Sequence, residues 1–357
     1  MNRFIKDELW KDLAALYDGT GDVLVMNESY ASTVSEVQGY ENFATDTKVI
    51  YTVVKEVEVQ KVEKTETNYT NTLFMIFFGE SDSRTSDLSL YTRTDVDMLL
   101  TVDPVNKQIL IVTMPRDWYV KNPALGNGYD KLNHLGNNGL QNTMDGLNNE
   151  FGFSHIKDYF ELNFVTFYNI VEGLGGVDIN NPTAFSAASG DEVGGKIYGG
   201  EYYFEAGPLH LDGNEALSYV RERYNLPDGD YGRNQHQTIV IQAIINKLTS
   251  KELIAHYSSV LQNLQGNILS SISSEDIYSL AEMQLNDGGS WNFVSYHLDG
   301  IGDSNVTASM GDQLLYVAYP LAKQVTFAKQ QMEKVMSGQV ITQETLPTDD
   351  QTTYLPN

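Results

Sequence analysis

The chain has 357 residues, of which 41% are hydrophobic and 20% are charged, so its composition is that of a folded protein. Lys and Arg total 23 against 48 Asp and Glu, and the formal net charge of −25 excludes broad binding to nucleic acid because it repels phosphate backbones. The absence of cysteine excludes disulfide scaffolds, cysteine zinc sites and thiolate catalysis. The longest apolar run, Leu73–Phe78, is too short to span a bilayer.

Residues 1–71 are predicted to be the remnant of an N-terminal accessory α/β module, followed by a linker. Apolar residues at helical spacing predict a helix over residues 4–17, and residues 23–26 are typical of a short strand. An alternating pattern over residues 49–64 indicates a linker or an edge strand. One helix and one strand are too few to bury a core, so we expect this segment to be the end of a larger module.

Residues 72–250 alternate between strand and helix patterns and are predicted to form the catalytic core. This alternation predicts an α/β fold in which a mixed central β-sheet is sandwiched by helices. The predicted strands cover residues 73–78, 96–102, 108–113 and 160–164, and the predicted helices cover residues 140–151, 166–174, 213–224 and 233–248. Asp103–Lys107 predicts a hairpin turn between the second and third strands, and the Gly- and Ser-rich residues 186–200 predict a loop.

The C-terminal third is predicted to be an extension that packs on this core. Within residues 251–336, helical spacing predicts helices over residues 254–264, 274–285 and 321–336. Residues 337–357 carry Thr, Gln and Pro without a periodic apolar pattern, and they predict a disordered tail.

Arginine is scarce in this chain, and it is concentrated at the ends of predicted elements. There are seven arginines and sixteen lysines, so ordinary surface charge is supplied by lysine. Six arginines fall in five short segments, namely Asp82–Arg84, Arg93–Asp95, Arg116–Asp117, Arg221–Arg223 and Asp230–Arg233. Strand ends and helix N-termini are where α/β proteins build their sites.

The residue types in these segments suit phosphoryl chemistry. Guanidinium groups bind phosphate oxygens in a bidentate manner, and lysine does not replace them there. Asp82 and Asp95, both near strand ends, could hold a hard cation such as Mg²⁺ through oxygen. Arginines and a metal neutralise the charge that develops on a transferred phosphoryl or pyrophosphoryl group. The alternative for any single Asp–Arg pair is an exposed ion pair worth about 0–1 kcal/mol.

These segments, taken together and in order, resemble the LytR-CpsA-Psr family of bacterial cell-wall glycopolymer transferases. The matching stretches are Arg93–Val96 with the strand Met98–Val102, Thr113–Val120, Asp130–His134, Tyr159–Phe164, Ile170–Asp178, Leu209–Tyr224 and Gly229–Gln237. The resemblance implies an enzyme that takes a polymer linked to polyprenyl pyrophosphate, such as teichoic acid or capsular polysaccharide. Such an enzyme passes the glycan phosphate to peptidoglycan, most often to the C6 hydroxyl of N-acetylmuramic acid, with the assistance of Mg²⁺.

The resemblance also implies a place in the cell. Family members act on the outer face of the bacterial membrane or in the cell wall, usually behind one N-terminal transmembrane helix, so we expect the membrane anchor to lie upstream of residue 1. An older description of the family as transcriptional attenuators does not fit a net charge of −25.

Site residues follow from the resemblance position by position. The metal-binding carboxylates of the family fall on Asp82 and Asp95, and Arg93, Arg116 and Asp95 are the predicted catalytic residues. The positions that contact pyrophosphate are Arg93, Arg116, Arg221, Arg223, Arg233 and Gln237, with Asp230 beside the head group. The family pattern Gly-x-Asp-x-Arg has one extra residue in this chain, between Gly79 and Arg84, so Glu80 is the alternative to Asp82.

The family's polyprenyl tunnel has candidate lining residues in this chain. They are Phe160, Leu162, Phe164, Phe167, Ile170 and Val171. The alternative interpretation is that these side chains form an ordinary hydrophobic core.

The sequence therefore favours a Mg²⁺-assisted phosphotransferase, and it leaves open which residue is the general base. Asp82, Asp95 and Asp117 are the candidates. Two other functions suit the same residues. One is a polyprenyl-pyrophosphate phosphatase that transfers the phosphoryl group to water, and the other is a non-catalytic sensor that binds the lipid pyrophosphate.

Overall fold

Within the described part of the chain, a six-stranded mixed β-sheet carries helices on both faces. This computed structural model describes residues 13–21, 23–24, 34, 39–40, 42–48, 50, 68–81, 89–193, 195–227, 229–248, 250 and 268–348. Its strands are β1 (Phe74–Ser81), β2 (Thr94–Asp103), β3 (Gln108–Met114), β4 (Tyr119–Asn122), β5 (Gly128–Lys131), β6 (Asp158–Leu162), β7 (Val177–Asn181), β8 (Phe185–Val193), β9 (Lys196–Phe204), β10 (Gly207–Leu211), β11 (Leu269–Ser270), β12 (Asn292–His297), β13 (Gly300–Thr307) and β14 (Gly311–Pro320). We label its helices α1 (Phe43–Asp46), α2 (Leu132–Leu135), α3 (Leu140–Phe151), α4 (Phe164–Gly173), α5 (Gly213–Arg221), α6 (Gly229–Leu248), α7 (Ser274–Asp287) and α8 (Ala322–Met336).

The strand order of the central sheet is β11-β6-β1-β2-β3-β12. β2 is antiparallel to β1 and to β3, whereas β6 runs parallel to β1 and β12 runs parallel to β3. Every residue of β3 is buried, and Asp95 is the one partly exposed residue of β2, as expected for strands covered on both faces. The predicted hairpin is confirmed, since Asp103 pairs with Gln108 across the turn.

Alternate residues of β2 face two separate hydrophobic clusters. One cluster joins the sheet to α4 and α5 and includes Met98, Phe167 and Leu217. The other joins the opposite face to α3 and α8 and includes Leu99 and Met332. Because a strand points successive side chains to opposite faces, one apolar strand serves both clusters. Helices therefore cover both faces of the sheet, which confirms the predicted α/β sandwich.

The loop predicted over residues 186–200 is wrong, because the structure forms a β-hairpin there. β8 pairs with β9 from Phe185 opposite Phe204 to Val193 opposite Lys196. Glycines weaken strand propensity, which explains the error, but a buried ring such as that of Phe204 anchors the hairpin to the core.

The C-terminal extension contributes directly to the central sheet. β12 pairs with β3, and β11 pairs with β6, so both edges of the sheet come from residues that follow the predicted core. The β13–β14 hairpin, which the sequence did not predict, packs against the β4–β5 hairpin. The helix predicted over residues 254–264 lies outside the described residues.

The disordered tail predicted over residues 337–357 is wrong for residues 337–348, which pack along the core. Ile341 is buried, and its backbone N–H donates a hydrogen bond of 3.1 Å to Gln108 Oε1. Gln108 Nε2 in turn donates to the carbonyl oxygen of Gln339 at 2.7 Å. A buried glutamine needs such partners, and the polar composition of the tail conceals this role. Residues 349–357 lie outside the described residues.

Part of the N-terminal segment forms a small cluster of its own. Leu13 and Phe43 are buried in it, and residues 13–17 are helical. The strand predicted over residues 23–26 and the linker predicted over residues 49–64 lie largely outside the described residues. Across the ranges given above, no helix combines the length and the apolar content needed to cross a bilayer.

Candidate functional site

The carboxylate of Asp95, near the start of β2, is where two of the predicted arginines meet. Arg116 Nη1 donates a hydrogen bond of 2.6 Å to Asp95 Oδ1, and Arg93 Nη2 lies 3.9 Å from the same oxygen. Burial on its own would raise the pKa of Asp95, but the positive charges of Arg116 and Arg93 outweigh it, and the net pKa is lowered. Arg233, near the start of α6, also lowers this pKa. Three arginines that are distant in sequence therefore share one ionised carboxylate.

The backbone around Arg116 is fixed by its neighbours. β3 ends at Met114, and Trp118, four residues on, is fully buried and donates from Nε1 to the carbonyl oxygen of Asp299 at 3.0 Å. The carbonyl oxygen of Arg116 accepts a 3.0 Å hydrogen bond from the backbone N–H of Asn133, in α2. Hydrogen bonds from two other parts of the chain thus hold the turn that presents the guanidinium to Asp95.

Asp117 and Lys131 extend the charged cluster beyond Arg116. Lys131 Nζ lies 2.6 Å from Asp117 Oδ1, and Arg116 Nε lies 3.8 Å from Asp117 Oδ2. Sequence reasoning did not assign Lys131 to the site, although it lies in the stretch Asp130–His134 that resembles the family. Its place in that stretch was the available signal.

Arg221 and Arg223 lie on either side of a buried acidic residue, Glu222, that organises the turn after α5. Burial would raise the pKa of Glu222, but hydrogen bonds from the backbone of Asn225 and Ala188 help to keep it below its usual value. The same carboxylate accepts backbone N–H groups of Arg223 and its neighbours at 2.8 to 3.0 Å. Sequence reasoning also missed Glu222 as a positioning residue, and its place between two arginines was the signal.

The two arginines point to different surroundings. The guanidinium carbon of Arg221 lies 4.0 Å from the ring centre of Phe164, and the group forms an ion pair with Asp191 of β8. The guanidinium of Arg223 lies over the ring of Tyr224, 4.5 Å from its centre. Arg221 thereby borders an apolar cavity, whereas Arg223 lines an open cleft.

The apolar cavity has a volume of about 40 Å³. It is lined by Phe78, Glu80, Val96, Met98, Leu162, Phe164, Phe167, Leu217, Val220, Arg221, Gln237 and Ile241. Of the residues predicted to line a lipid tunnel, Leu162, Phe164 and Phe167 line this cavity. Ile170 and Val171 are buried in the surrounding core. Ligand pockets have volumes of about 300–1,000 Å³, so the described residues enclose a small apolar cavity here rather than an open tunnel.

The predicted residue Phe160 takes a place next to this cavity. Its ring stacks on that of Phe78, with centroids 5.8 Å apart. Glu80, the alternative to Asp82 as a metal ligand, lies two residues after Phe78 on β1 and also lines the cavity. Gln237 also lines it and donates from Nε2 to the carbonyl oxygen of Val220 at 3.3 Å.

An open cleft of about 560 Å³ lies on the other side of the cluster, and its size is that of a ligand pocket. Its lining residues are Pro115, Arg116, Asp117, Lys131, Arg223, Asn234, Leu298, Asp299, Gly300, Leu314, Leu315, Tyr316 and Ala318. The cleft and the apolar cavity share no lining residue. Val96 and Met98 face the cavity, and Asp95, one position before Val96, points to the opposite face of β2 and takes Arg116.

Several predicted site residues are not placed. Asp82 and Arg84 lie outside the described residues, and the side chain of Asp230, in the first turn of α6, does too. Of the two predicted metal ligands, the structure therefore describes Asp95 and not Asp82. The carboxylate oxygens of Asp95 are ligands of the type that Mg²⁺ prefers. The described ranges contain no group of three His, Asp or Glu side chains that could hold a metal ion.

Solved structures share this fold. The crystal structure of TagV from B. subtilis superposes with a TM-score of 0.59 at 23% identity, covering 75% of this chain and 98% of that one. The structure described as TagT bound to LI-WTA superposes with a TM-score of 0.56 at 22% identity, covering 77% of this chain and 94% of that one. At these identities the likeness establishes the fold alone.

Sequence relatives and a family model identify the group to which the chain is related. A protein from Enterococcus faecalis is 34% identical over 190 residues, which are 53% of this chain and 58% of that protein. A protein from Bacillus mycoides is 30% identical over 230 residues, 64% of this chain and 68% of that protein. Both are named polyisoprenyl-teichoic acid–peptidoglycan teichoic acid transferase TagU. The chain spans less than two thirds of the length of the Enterococcus relative. The family model matches residues 35–316, and the chain therefore belongs to the LytR_cpsA_psr family.

Proposed function

We propose that this protein is a phosphotransferase that moves a glycan phosphate from polyprenyl pyrophosphate to a hydroxyl group of peptidoglycan. The observation that carries the proposal is the cluster in which Arg93 and Arg116 share the carboxylate of Asp95, between an apolar cavity and an open cleft. The names of the relatives support teichoic acid as the polymer and peptidoglycan as the acceptor.

The cluster is suited to binding a diphosphate. Arg93 is 96% buried and Arg116 about 80% buried, so their charges are poorly screened by water. Asp95 holds both guanidinium groups in place before substrate binds, which lowers the cost of orienting them. Arg223 at the cleft and Arg221 at the cavity extend the positive charge along the path of the substrate.

In the proposed reaction the acceptor hydroxyl oxygen attacks the phosphorus atom that carries the glycan. A new O–P bond forms, and the P–O bond to polyprenyl phosphate breaks. The bonding pair leaves with polyprenyl phosphate, and the hydroxyl proton passes to a carboxylate. The arginines stabilise the negative charge on the transferred phosphate and on the leaving group.

Asp117 is the base that the geometry favours. Asp95 accepts a 2.6 Å hydrogen bond from Arg116, its pKa is lowered, and it is not among the residues that line the cleft, so it is poorly placed to take a proton from an acceptor there. Asp117 is about 80% buried and lines the cleft beside Arg116, where an acceptor hydroxyl would enter. Lys131, 2.6 Å from Asp117, orients its carboxylate.

Mg²⁺ is part of the proposal, with Asp95 and Asp82 as its ligands. The family resemblance suggests this pair, and Mg²⁺ is commonly bound by one or two carboxylates together with substrate phosphate. When bound, the ion would neutralise charge on the diphosphate. The proposed acceptor group is the C6 hydroxyl of muramic acid, and the proposed place of action is the extracytoplasmic face of the membrane.

Release of polyprenyl phosphate, measured with and without a peptidoglycan acceptor, tests the proposal. We expect release that depends on acceptor and a covalent glycan–peptidoglycan product. Equal release with and without acceptor would instead identify a phosphatase, and binding without release would identify a sensor. Arg93→Ala should abolish transfer, whereas Lys329→Ala, which changes a half-buried lysine on α8 that lines neither the cleft nor the cavity, should retain it. A fully active Arg93→Ala variant would contradict the site.

A further inference from the structure

One face of the β13–β14 hairpin exposes apolar side chains next to the charged cleft. Leu314 is 69% exposed, Tyr316 57% and Val306 41%. Leu315 and Val317, which alternate with them on β14, are buried. The alternation places the three exposed side chains on the same face of the two strands, because Val306 pairs with Leu314. A contiguous exposed apolar patch marks a binding surface more often than a scattered one does.

Tyr316 lies across Gly302 of the neighbouring strand. A Cβ atom placed on Gly302 would lie 2.7 Å from Tyr316 Oη and 2.9 Å from a ring carbon. Because glycine has no side chain, the Tyr316 ring can pack directly on the backbone of Gly302. More than half of the surface of Tyr316 stays exposed, and Tyr316 lines the cleft. The exposed face of such a ring can pack against the apolar face of a partner.

The hairpin is tied to the charged cluster by short contacts. The backbone N–H of Ala318 donates a 2.8 Å hydrogen bond to the carbonyl oxygen of Asp117. On the hidden face, Tyr119 Oη donates to the carbonyl oxygen of Val306 at 2.7 Å, and its ring meets that of Tyr319 edge to face. The exposed face is thus held at a fixed place relative to Asp117 and its neighbour Arg116.

The geometry of the proposed reaction decides what this face binds. In phosphoryl transfer the attacking oxygen enters opposite to the leaving group. The proposed function puts the departing polyprenyl phosphate on the side of the apolar cavity, which lies on the face of β2 that carries Val96 and Met98. The acceptor must therefore enter from the cleft, on the face that carries Asp95 and Arg116.

We propose that Tyr316 and Leu314, together with Asp299, form the subsite for the acceptor sugar. The inference rests on the proposed function and adds the place where the glycan strand of peptidoglycan docks. A pyranose ring has apolar C–H faces that pack on an aromatic ring, and its hydroxyl groups donate to a carboxylate. Asp299, also in the cleft lining, supplies that carboxylate, and Arg223 supplies donors.

The test compares Tyr316→Ala and Leu314→Ser with the parent protein and with Tyr203→Ala. Tyr203 is 63% exposed on β9, away from the cleft, so it is a matched control for the loss of a surface tyrosine. We expect each cleft variant to raise the KM for a soluble uncrosslinked glycan-strand fragment by about ten-fold, the equivalent of one lost aromatic or apolar contact, with the KM for the lipid-linked donor nearly unchanged. The control should match the parent in both constants.

Direct binding separates failure of this inference from failure of the proposed function. Calorimetric titration with the same fragment needs no turnover. Fragment binding by the parent that is lost in Tyr316→Ala supports the subsite even if no transfer is found. Unchanged fragment affinity in both cleft variants overturns it. If only the KM for the donor rose, the cleft would bind the donor glycan. If the parent protein were a dimer and Leu314→Ser a monomer, the exposed face would bind a second copy of this protein. Both outcomes overturn the inference.

Discussion

The two faces of β2 have opposite chemistry although they alternate residue by residue. On one face, Val96 and Met98 line a small apolar cavity, and on the other, Asp95 binds Arg116, which lines an open cleft. A shift of one residue in the strand register would exchange these surroundings. The pleat of the central strand therefore separates a small apolar cavity from a cluster of charged side chains.

The polar face also buries acids that serve no ion pair among the described residues. Asp97 and Glu161 are both opposite Gly79, on the strands to either side of it. Burial raises the pKa of each to about 8. The charge of Asp97 adds to the rise at Glu161, whereas at Asp97 a hydrogen bond of 2.6 Å from Thr94 Oγ1 favours the ionised form. The apolar face contributes stability, whereas this face contains groups that cost stability when they ionise.

The largest expected effect is on the apolar face. Phe167→Ala removes a buried ring from the core, and we expect the free energy of unfolding to fall by about 3–5 kcal/mol. Urea denaturation followed by circular dichroism measures this change. Tyr203→Ala, which removes an exposed ring, should change it by less than about 0.5 kcal/mol. If the two variants lost the same free energy of unfolding, the packing of Phe167 in the core would not stabilise the fold more than an exposed ring does.

On the polar face the main expected effect is a loss of activity. Arg116→Ala removes a preorganised donor, and we expect kcat for transfer to fall by about 100- to 1,000-fold. Arg116→Lys keeps the charge but loses the fork that binds two oxygens, so it should restore only part of the rate. Steady-state kinetics measure the change in activity, and a thermal melt measures the change in stability. A variant as active as the parent would refute the role of Arg116.

The buried acids predict an unusual pH dependence of stability. Glu161 has a folded pKa of about 8 against an ordinary value of 4.5, so the folded state holds a proton that the unfolded state has lost at neutral pH. The stabilisation that the protonated Glu161 adds to the free energy of unfolding is fully present below about pH 4.5, and it is lost as the pH rises through about 8. Glu161→Gln should therefore flatten the fall in the free energy of unfolding between pH 5.5 and 8.5, by up to about 1.4 kcal/mol per pH unit. Urea titrations across this range measure it, and parallel curves for parent and variant would contradict the assignment.

The smallest expected effect concerns the helix that presents Arg221. Asp212 caps α5 by accepting the backbone N–H of Glu215 at 2.9 Å, and Glu215 Oε2 accepts the N–H of Asp212 at 3.0 Å. Asp212→Ala should cost about 1 kcal/mol of unfolding free energy, and Asp212→Asn, which keeps an acceptor, should cost less. If the two variants were equally destabilised, the cap would not be the cause.

Local pattern was enough to predict much of the fold and the types of residue at the site. The Asp103–Lys107 turn signal predicted the β2–β3 hairpin, and this hairpin brings Arg116 to Asp95 across 21 residues. Where local propensity and tertiary packing disagreed, as in the glycine-rich β8–β9 hairpin, the prediction was wrong. Lys131 was missed as a site residue because its partner, Asp117, lies on a different turn of the chain. Glu222 was missed because its partners are backbone N–H groups, which the sequence pattern does not mark.

Hydrophobic periodicity and scarce residue types are local properties, so the order of residues was enough to place arginines and carboxylates at the ends of apolar elements. The face of β2 that each group occupies, and the position of Tyr316 and Leu314 beside Arg116 in one cleft, could be read only from the folded chain. The physical reason is that strand register and long-range hydrogen bonds, such as the one from Ala318 to Asp117, depend on packing of the whole chain.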